Sequence, residues 1–200
     1  MTPGRQSLVA LAVIAASALA TWIAWRMAPP PPPPPSAEVK AVFDFAPSAV
    51  RAIDVRSWQG AIVARRTNGH WEVLAVRNAR ADAEDAAGLT PPSQAEIDQT
   101  LDTLVREIVT LPEIDRFPLQ AGALRDFGLE DPQATIVLQL ESGEERTLQI
   151  GQLTTSTAAL YARVLPSSDV LQVGTLVFND IAAALYRLRA LQETQVGGDA

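Results

Sequence analysis

AIVARRTNGHWEVL, residues 61–74, sets the architecture, because two strand-like segments flank the strongest short-range hairpin signal in the chain. Ala61 to Thr67 and His70 to Leu74 are rich in β-branched, apolar and aromatic residues, and Asn68-Gly69 between them suits a two-residue turn. A third strand is predicted upstream, from Ala49 to Arg56. Together the three segments predict an antiparallel meander.

Two more hairpins are predicted downstream, where apolar segments of strand length flank turn sequences. They pair Ile136–Leu140 with Leu148–Gly151, and Leu160–Val164 with Val170–Val173. Short connections between successive strands are typical of antiparallel sheets.

The clearest helix follows Pro91-Pro92, where Ser93 and Glu96 form a capping box. Its apolar residues recur on one face, which predicts packing on a sheet. These residues are Ile97, Leu101, Leu104, Val105 and Ile108. The polar face is predicted to meet water, although acids one turn apart also suit a metal or acid–base site. It carries Asp98, Asp102, Arg106 and Glu107.

Two further helices are predicted. Ala121–Leu129 is short, because Gly128 can adopt the left-handed conformation that ends a helix, so that Leu129 folds back, and Pro132 blocks a restart. The last helix, Leu176–Leu191, buries a stripe of Ile181, Leu185 and Leu188. The predicted fold class is therefore α+β, with mostly antiparallel sheets and about three helices.

The N-terminus predicts a membrane anchor on a stalk. Leu8 to Trp25 is uncharged and long enough to span a bilayer as a helix of roughly 27 Å. Pro29–Pro35 predicts a semi-rigid polyproline spacer of roughly 20 Å. The predicted parts are an anchor (1–28), a linker (29–37), one extracytoplasmic domain (38–191) and a disordered tail (192–200).

A cleaved signal peptide is the alternative for the first segment, with Ala16-Ser17-Ala18 or Ala18-Leu19-Ala20 as the cleavage site. Trp22 and Trp25 favour the anchor, because tryptophans one turn apart at the end of a span are typical of the membrane interface. Basic residues are nearly balanced across the span, and an N-terminus inside is the favoured orientation. The predicted location is a bacterial inner membrane, crossed once.

Charge and composition exclude several partners. The part after Arg26 has a net charge of about −9, because only Arg5 and Arg26 of the 16 basic residues lie outside it while all 23 acidic residues lie within it. An acidic domain argues against nucleic acid and against a direct grip on anionic lipid. The absence of cysteine excludes disulfides and cysteine-bound zinc.

No motif for catalysis, cofactor binding or metal binding was found, and the protein is predicted not to be an enzyme. The only histidine, His70, lies beside a turn, where it needs no special role. The acidic segment Arg77–Thr90 is predicted to be a solvated loop. As a calcium site it lacks the glycine and the distal glutamate of a calcium-binding loop.

Four aromatic or charged residues have two interpretations each. Tyr161 and Arg163 share a strand face and could bind an anion or a glycan, but an exposed strand face is the simpler interpretation. Trp58 and Trp71 suit packing better than sugar stacking.

The ordered series of segments resembles the bacterial family called domain of unknown function 4340, over most of residues 48–190. The segments are Asn68–Val73, Glu113–Arg116, Leu124–Pro132, Thr147–Gly151 and Leu160–Val164. The resemblance implies structural roles for a set of motif residues and no catalytic ones. That set is Trp71, Phe127, Gly128, Leu129, Pro132, Gly151 and Tyr161. The chain departs from the family in its Arg77–Thr90 insertion and its proline spacer.

Family members look like single-pass membrane proteins, often found beside genes of gliding-motility-type ABC transporters. The resemblance, the predicted anchor and the missing active-site motifs together favour a noncatalytic accessory or scaffold protein that binds another envelope protein. The alternative is an extracytoplasmic module that senses a ligand or binds carbohydrate. The first hypothesis predicts an exposed edge strand for a partner, and the second predicts a deep pocket.

Overall fold

The structure is a computed structural model that describes residues 40–79, 89–119, 123–156 and 158–191. Within these ranges, eight strands form one antiparallel sheet, and two α-helices accompany it. The strands are β1 Val50–Ser57, β2 Gly60–Thr67, β3 His70–Asn78, β4 Glu113–Pro118, β5 Ala134–Leu140, β6 Glu145–Leu153, β7 Ala159–Leu165 and β8 Asp169–Gly174. The helices are α1 Gln94–Val109 and α2 Val177–Leu188.

In the part of the chain that is described, no helix is long and apolar enough to cross a membrane. The predicted anchor residues Leu8, Trp22 and Trp25, the proline linker and the tail 192–200 lie outside the described residues.

The sheet has the strand order β3-β2-β1-β5-β6-β7-β8-β4, and every neighbouring pair is antiparallel. The α+β class, the meander and both downstream hairpins are confirmed. The prediction of several sheets was wrong, because β1 pairs with β5 and joins the hairpins into one sheet. The prediction of about three helices was also too high. Between residues 123 and 128 only a single 3-10 turn forms, Arg125–Phe127, before Gly128 ends it at φ 66°.

Both helices pack on one face of the sheet. The predicted capping box of α1 is present, with Ser93 and Glu96 satisfying each other's backbone amides. The predicted apolar face of α1 is buried except at Ile97, which is half-buried. The predicted stripe of α2 (Ile181, Leu185 and Leu188) is buried too, so helix periodicity placed both helices correctly.

The chain enters the described domain at one end of the sheet. Lys40 accepts a hydrogen bond from the Glu113 amide at 2.8 Å, and Val42 donates to Leu111 at 2.8 Å. The β1–β2 turn, the end of β6 and the end of β8 lie at this end, which we call the proximal end. The distal end carries the turns at Asn68-Gly69 and Ser142-Gly143.

Candidate functional site

A sharp corner follows the Arg125–Phe127 turn. The Leu129 amide donates to the Leu124 carbonyl at 2.9 Å, and the Gly128 amide donates to Arg125 at 3.0 Å. This pair of bonds is the Schellman arrangement that the sequence predicted. Leu129 is buried as a result. We call residues 124–129 the corner.

The corner packs backbone to backbone against β6. A Cβ added to Gly151 would lie 2.1 Å from the carbonyl oxygen of Phe127, and one added to Gly128 would lie 2.8 Å from the amide nitrogen of Gln152. Neither position has room for a side chain. The two motif glycines are therefore required by the same close approach.

Aromatic rings fill the space beneath the corner. The Phe127 ring lies 4.8 Å from Tyr161 and 5.6 Å from Phe117, centroid to centroid. Val170, directly opposite Phe117 in the register, is fully buried although it faces away from the helices. These residues form a second, small core that covers the β6–β7–β8–β4 half of the sheet face opposite the helices.

Six of the motif residues therefore have neighbouring positions. Phe127, Gly128 and Leu129 form the corner, while Gly151 and Tyr161 receive it, and Pro132 follows directly in the chain. Tyr161 is half-buried rather than part of an exposed strand face. Arg163 donates to the Gln149 side chain at 2.9 Å, so it too is engaged within the sheet.

Trp71 lies elsewhere and fixes α1 to the β2–β3 hairpin. Its indole is only 2 % exposed, and its Nε1–H donates to Asp102 Oδ1 at 2.7 Å. Its backbone amide donates to Asp98 Oδ1 at 2.7 Å. Arg66 covers the ring at 4.8 Å and also donates to Asp102.

Asp102 is exposed, as predicted, and Asp98 is half-buried, but both carboxylates also hold Trp71 by hydrogen bonds. Asp98 accepts from Trp71 and Gln94, and its Oδ2 lies 2.8 Å from Nδ1 of His70. Burial acts to raise the pKa of Asp98, but the hydrogen bonds from His70, Trp71 and Gln94 outweigh it and hold that pKa below its usual range. The sequence could not reveal this contact, because His70 and Asp98 are 28 residues apart.

The other half of this sheet face is not covered by the corner. A groove of about 480 Å³ lies across β3, β2, β1 and β5. Apolar and polar residues alternate across it. In the strand register, Asp54 lies between Val63 and Val137, and Ala52 lies between Arg65 and Gln139. Leu74, Arg51 and Glu145 also line this surface. We call this surface the open-face groove.

A second cavity, of about 410 Å³, lies at the proximal end beside Trp58, whose indole is half exposed and 6.4 Å from the Phe178 ring. Its other lining residues are Arg56, Ser57, Asp131, Pro132, Gln133 and Thr135. Arg56 is bound to Asp54 at 2.8 Å, so this ion pair stands between the cavity and the open-face groove. Trp58 therefore lies at the surface rim of this cavity and not in the core.

Carboxylates in the described ranges do not gather into a metal site, since no group of three or more potential ligands is close enough to hold an ion. The Asp180 carboxyl lies in a cleft of about 200 Å³ between α1 and α2. Burial raises its pKa, with a smaller contribution from the nearby Glu107 carboxylate.

Fold and surfaces define an α+β domain whose sheet carries helices on one face and a half-covered second face. Residues 94–189 match the family model described as Domain of unknown function (DUF4340). The resemblance is thereby confirmed from α1 to α2, a range that includes the corner, whereas Trp71 lies before it. Comparison with curated proteins and with solved structures gave no match.

Proposed function

We propose that this protein is a noncatalytic, membrane-anchored accessory or scaffold protein whose exported domain binds another cell-envelope protein, in an ABC-type transport or surface assembly. The observation that carries the proposal is the open-face groove. The groove lies on a sheet whose opposite face is already packed against α1 and α2.

The composition of the groove suits a protein partner. Val63, Val137 and Leu74 offer apolar contact area, and the Asp54 carboxylate between Val63 and Val137 is already paired with Arg56. A surface that mixes apolar and charged side chains is compatible with a non-obligate protein interface, which is about as apolar as the rest of a protein surface. Charges of both signs, such as Arg51 and Glu145, fix the register of a partner more than they add affinity.

The edge of β4 is less suited to a partner strand than the sequence suggested. Pro118 has no amide hydrogen, and the amide of Arg116 is bound by the Asp115 carboxylate at 2.8 Å. Lys40 and Val42 already pair with the residues that lead into β4. These features blunt the β4 edge, which is one of the two edges of the sheet, the other being β3.

Crosslinking in cells tests the proposal directly. A photo-reactive residue is placed at Val63 or Val137 of the full-length protein, and Gln99 on the exposed side of α1 is the matched control. We expect a discrete protein adduct from the two groove positions and none from position 99. Adducts of equal yield at all three positions, or none at the groove, would contradict the proposal.

A substitution in the groove provides a second test. Val63→Arg places a charge in the groove, on the side away from the main core, so the free energy of unfolding should change little. Partner capture should fall while the melting temperature stays near that of the wild type. If Val63→Arg binds the identified partner as well as the wild type does, the groove is not part of the interface.

The volume of the groove favours the second candidate, an extracytoplasmic module that senses a ligand or binds carbohydrate. Small-molecule sites measure roughly 300–1,000 Å³, and the groove is within that range. Thermal-shift screening with metabolites and glycans tests this candidate. A ligand that raises the melting temperature of the wild type but not of Val137→Arg would establish it.

A further inference from the structure

Exposed apolar side chains collect at the proximal end. Among the described residues, six large hydrophobic side chains are exposed, and four of them lie at this end. Their exposed fractions are 49 % for Trp58, 57 % for Ile114, 50 % for Leu153 and 68 % for Leu176. We call these four residues the proximal rim.

Strand register places the four residues at one end. Trp58 follows β1 at the β1–β2 turn, and its amide donates to Gln133, just before β5. Leu153 is the last residue of β6 and lies opposite Leu160. Leu176 follows β8 by two residues, and Ile114 occupies the bulge at the start of β4, where Glu113 lies opposite Val173.

The chain also enters the domain at this end, through Lys40. All residues before Lys40, including the uncharged run Leu8–Trp25 and the prolines Pro29–Pro35, are therefore joined to the domain beside the proximal rim. The proposed membrane anchor is therefore connected to the end of the domain that carries the rim.

We infer that the proximal rim rests in the lipid–water interface of the bilayer that holds this anchor. The inference relies on the membrane anchor of the proposed function and adds a second, reversible contact to it. Tryptophan is enriched at the membrane interface, and exposed leucine and isoleucine side chains can insert into the apolar side of that interface. Lys40 and Arg77 are exposed at the same end, but Lys40 is paired with Glu113 at 3.8 Å and the Asp131 carboxylate is there too. The contact therefore depends on the apolar side chains and not on attraction to anionic headgroups.

The contact has a geometric consequence for the groove. Every strand runs between the proximal and distal ends. If the proximal rim touches the membrane, the strands point away from the bilayer surface and the open-face groove faces parallel to that surface. A partner in the same membrane is then met laterally.

Site-specific labelling tests the inference, and the absence of cysteine in the chain makes it simple. Leu153→Cys and Leu176→Cys report on the rim, while Ser142→Cys, in a distal turn, is the control. Each full-length variant is labelled with an environment-sensitive dye and reconstituted in vesicles of phosphatidylethanolamine and phosphatidylglycerol. Quenching by nitroxide attached to lipid headgroups is then measured.

We expect quenching at positions 153 and 176 to exceed that at position 142 several-fold, and Trp58→Ala to reduce it. Equal quenching at the three positions, or none at the rim while the protein still floats with the vesicles, would overturn the inference alone. Protein that does not float with vesicles at all would overturn the anchor, and with it both the inference and the membrane part of the proposed function.

Discussion

Replacing Gly151 by alanine should destabilise the domain strongly, although the change adds one methyl group. The new Cβ would lie 2.1 Å from the Phe127 carbonyl oxygen and 3.0 Å from the carbonyl carbon of Gly128. Real Cβ atoms essentially never make contacts under 3.0 Å. Since the obstacle is backbone, either β6 or the corner must move by about 1 Å.

That movement would disturb the small core beneath the corner, in which Phe127 contacts Tyr161 and Phe117. Overpacking of this kind costs about 1–3 kcal/mol and occasionally more. We therefore expect a loss of about 3 kcal/mol in the free energy of unfolding. For a domain of this size, the loss corresponds to a decrease of roughly 6–12 °C in the melting temperature.

Gly174→Ala is the matched control, because Gly174 is likewise a strand residue, the last of β8, but has nothing within 4 Å of its added Cβ. Urea unfolding of both variants and of the wild type, followed by circular dichroism, gives the two differences. Gly174→Ala should stay within about 0.5 kcal/mol of the wild type. If Gly151→Ala also does, the close approach of the corner to β6 does not exist and the reasoning is refuted.

Three further predictions concern Asp98, Trp71 and the proline segment. Asp98→Asn should make the free energy of unfolding less dependent on pH in acid. The pKa of Asp98 is lowered in the fold, so its contribution to stability is present above the ordinary value of about 3.9 and is lost as the pH falls below that value. Urea midpoints between pH 2.5 and 6 that shift equally in the wild type and the variant would contradict this. Trp71→Phe removes the 2.7 Å bond to Asp102 and should cost about 1–3 kcal/mol, measured by urea unfolding, and an unchanged midpoint would show that the bond is not needed. A Gly/Ser sequence in place of Pro29–Pro35 should leave the melting temperature unchanged and weaken partner crosslinking, because a flexible linker has less reach; full crosslinking by a shortened linker would end the spacer hypothesis.

Local signals in the sequence were sufficient for most elements. Asn68-Gly69 forms the predicted turn with positive φ at both residues, 54° and 85°. Ser93 and Glu96 cap α1, and Gly128 ends its turn, as their spacing indicated. Each of these signals depends on residues within about five positions of one another, so no knowledge of the remaining chain is needed.

Contacts between distant residues were not predictable in the same way. A helix polar face looks identical whether it meets water or a hairpin, so nothing in the sequence showed that Asp98 and Asp102 hold Trp71. Likewise, Phe127 lies in the corner and Tyr161 lies in β7, and neither local sequence indicated that their rings pack together. Only the pairing order of the strands decides that the corner covers one half of the sheet face and leaves the other half to the groove.

The pairing of β1 with β5 has a consequence for how the chain can be divided into fragments. β5 lies between β1 and β6, so its Ala134–Leu140 backbone is paired on both sides. The family match starts at residue 94, after β1, β2 and β3. A fragment cut at that residue would leave β5 as a new, apolar sheet edge and would be prone to aggregate. We therefore expect residues 94–189 to be less soluble alone than in a fragment that keeps the first three strands.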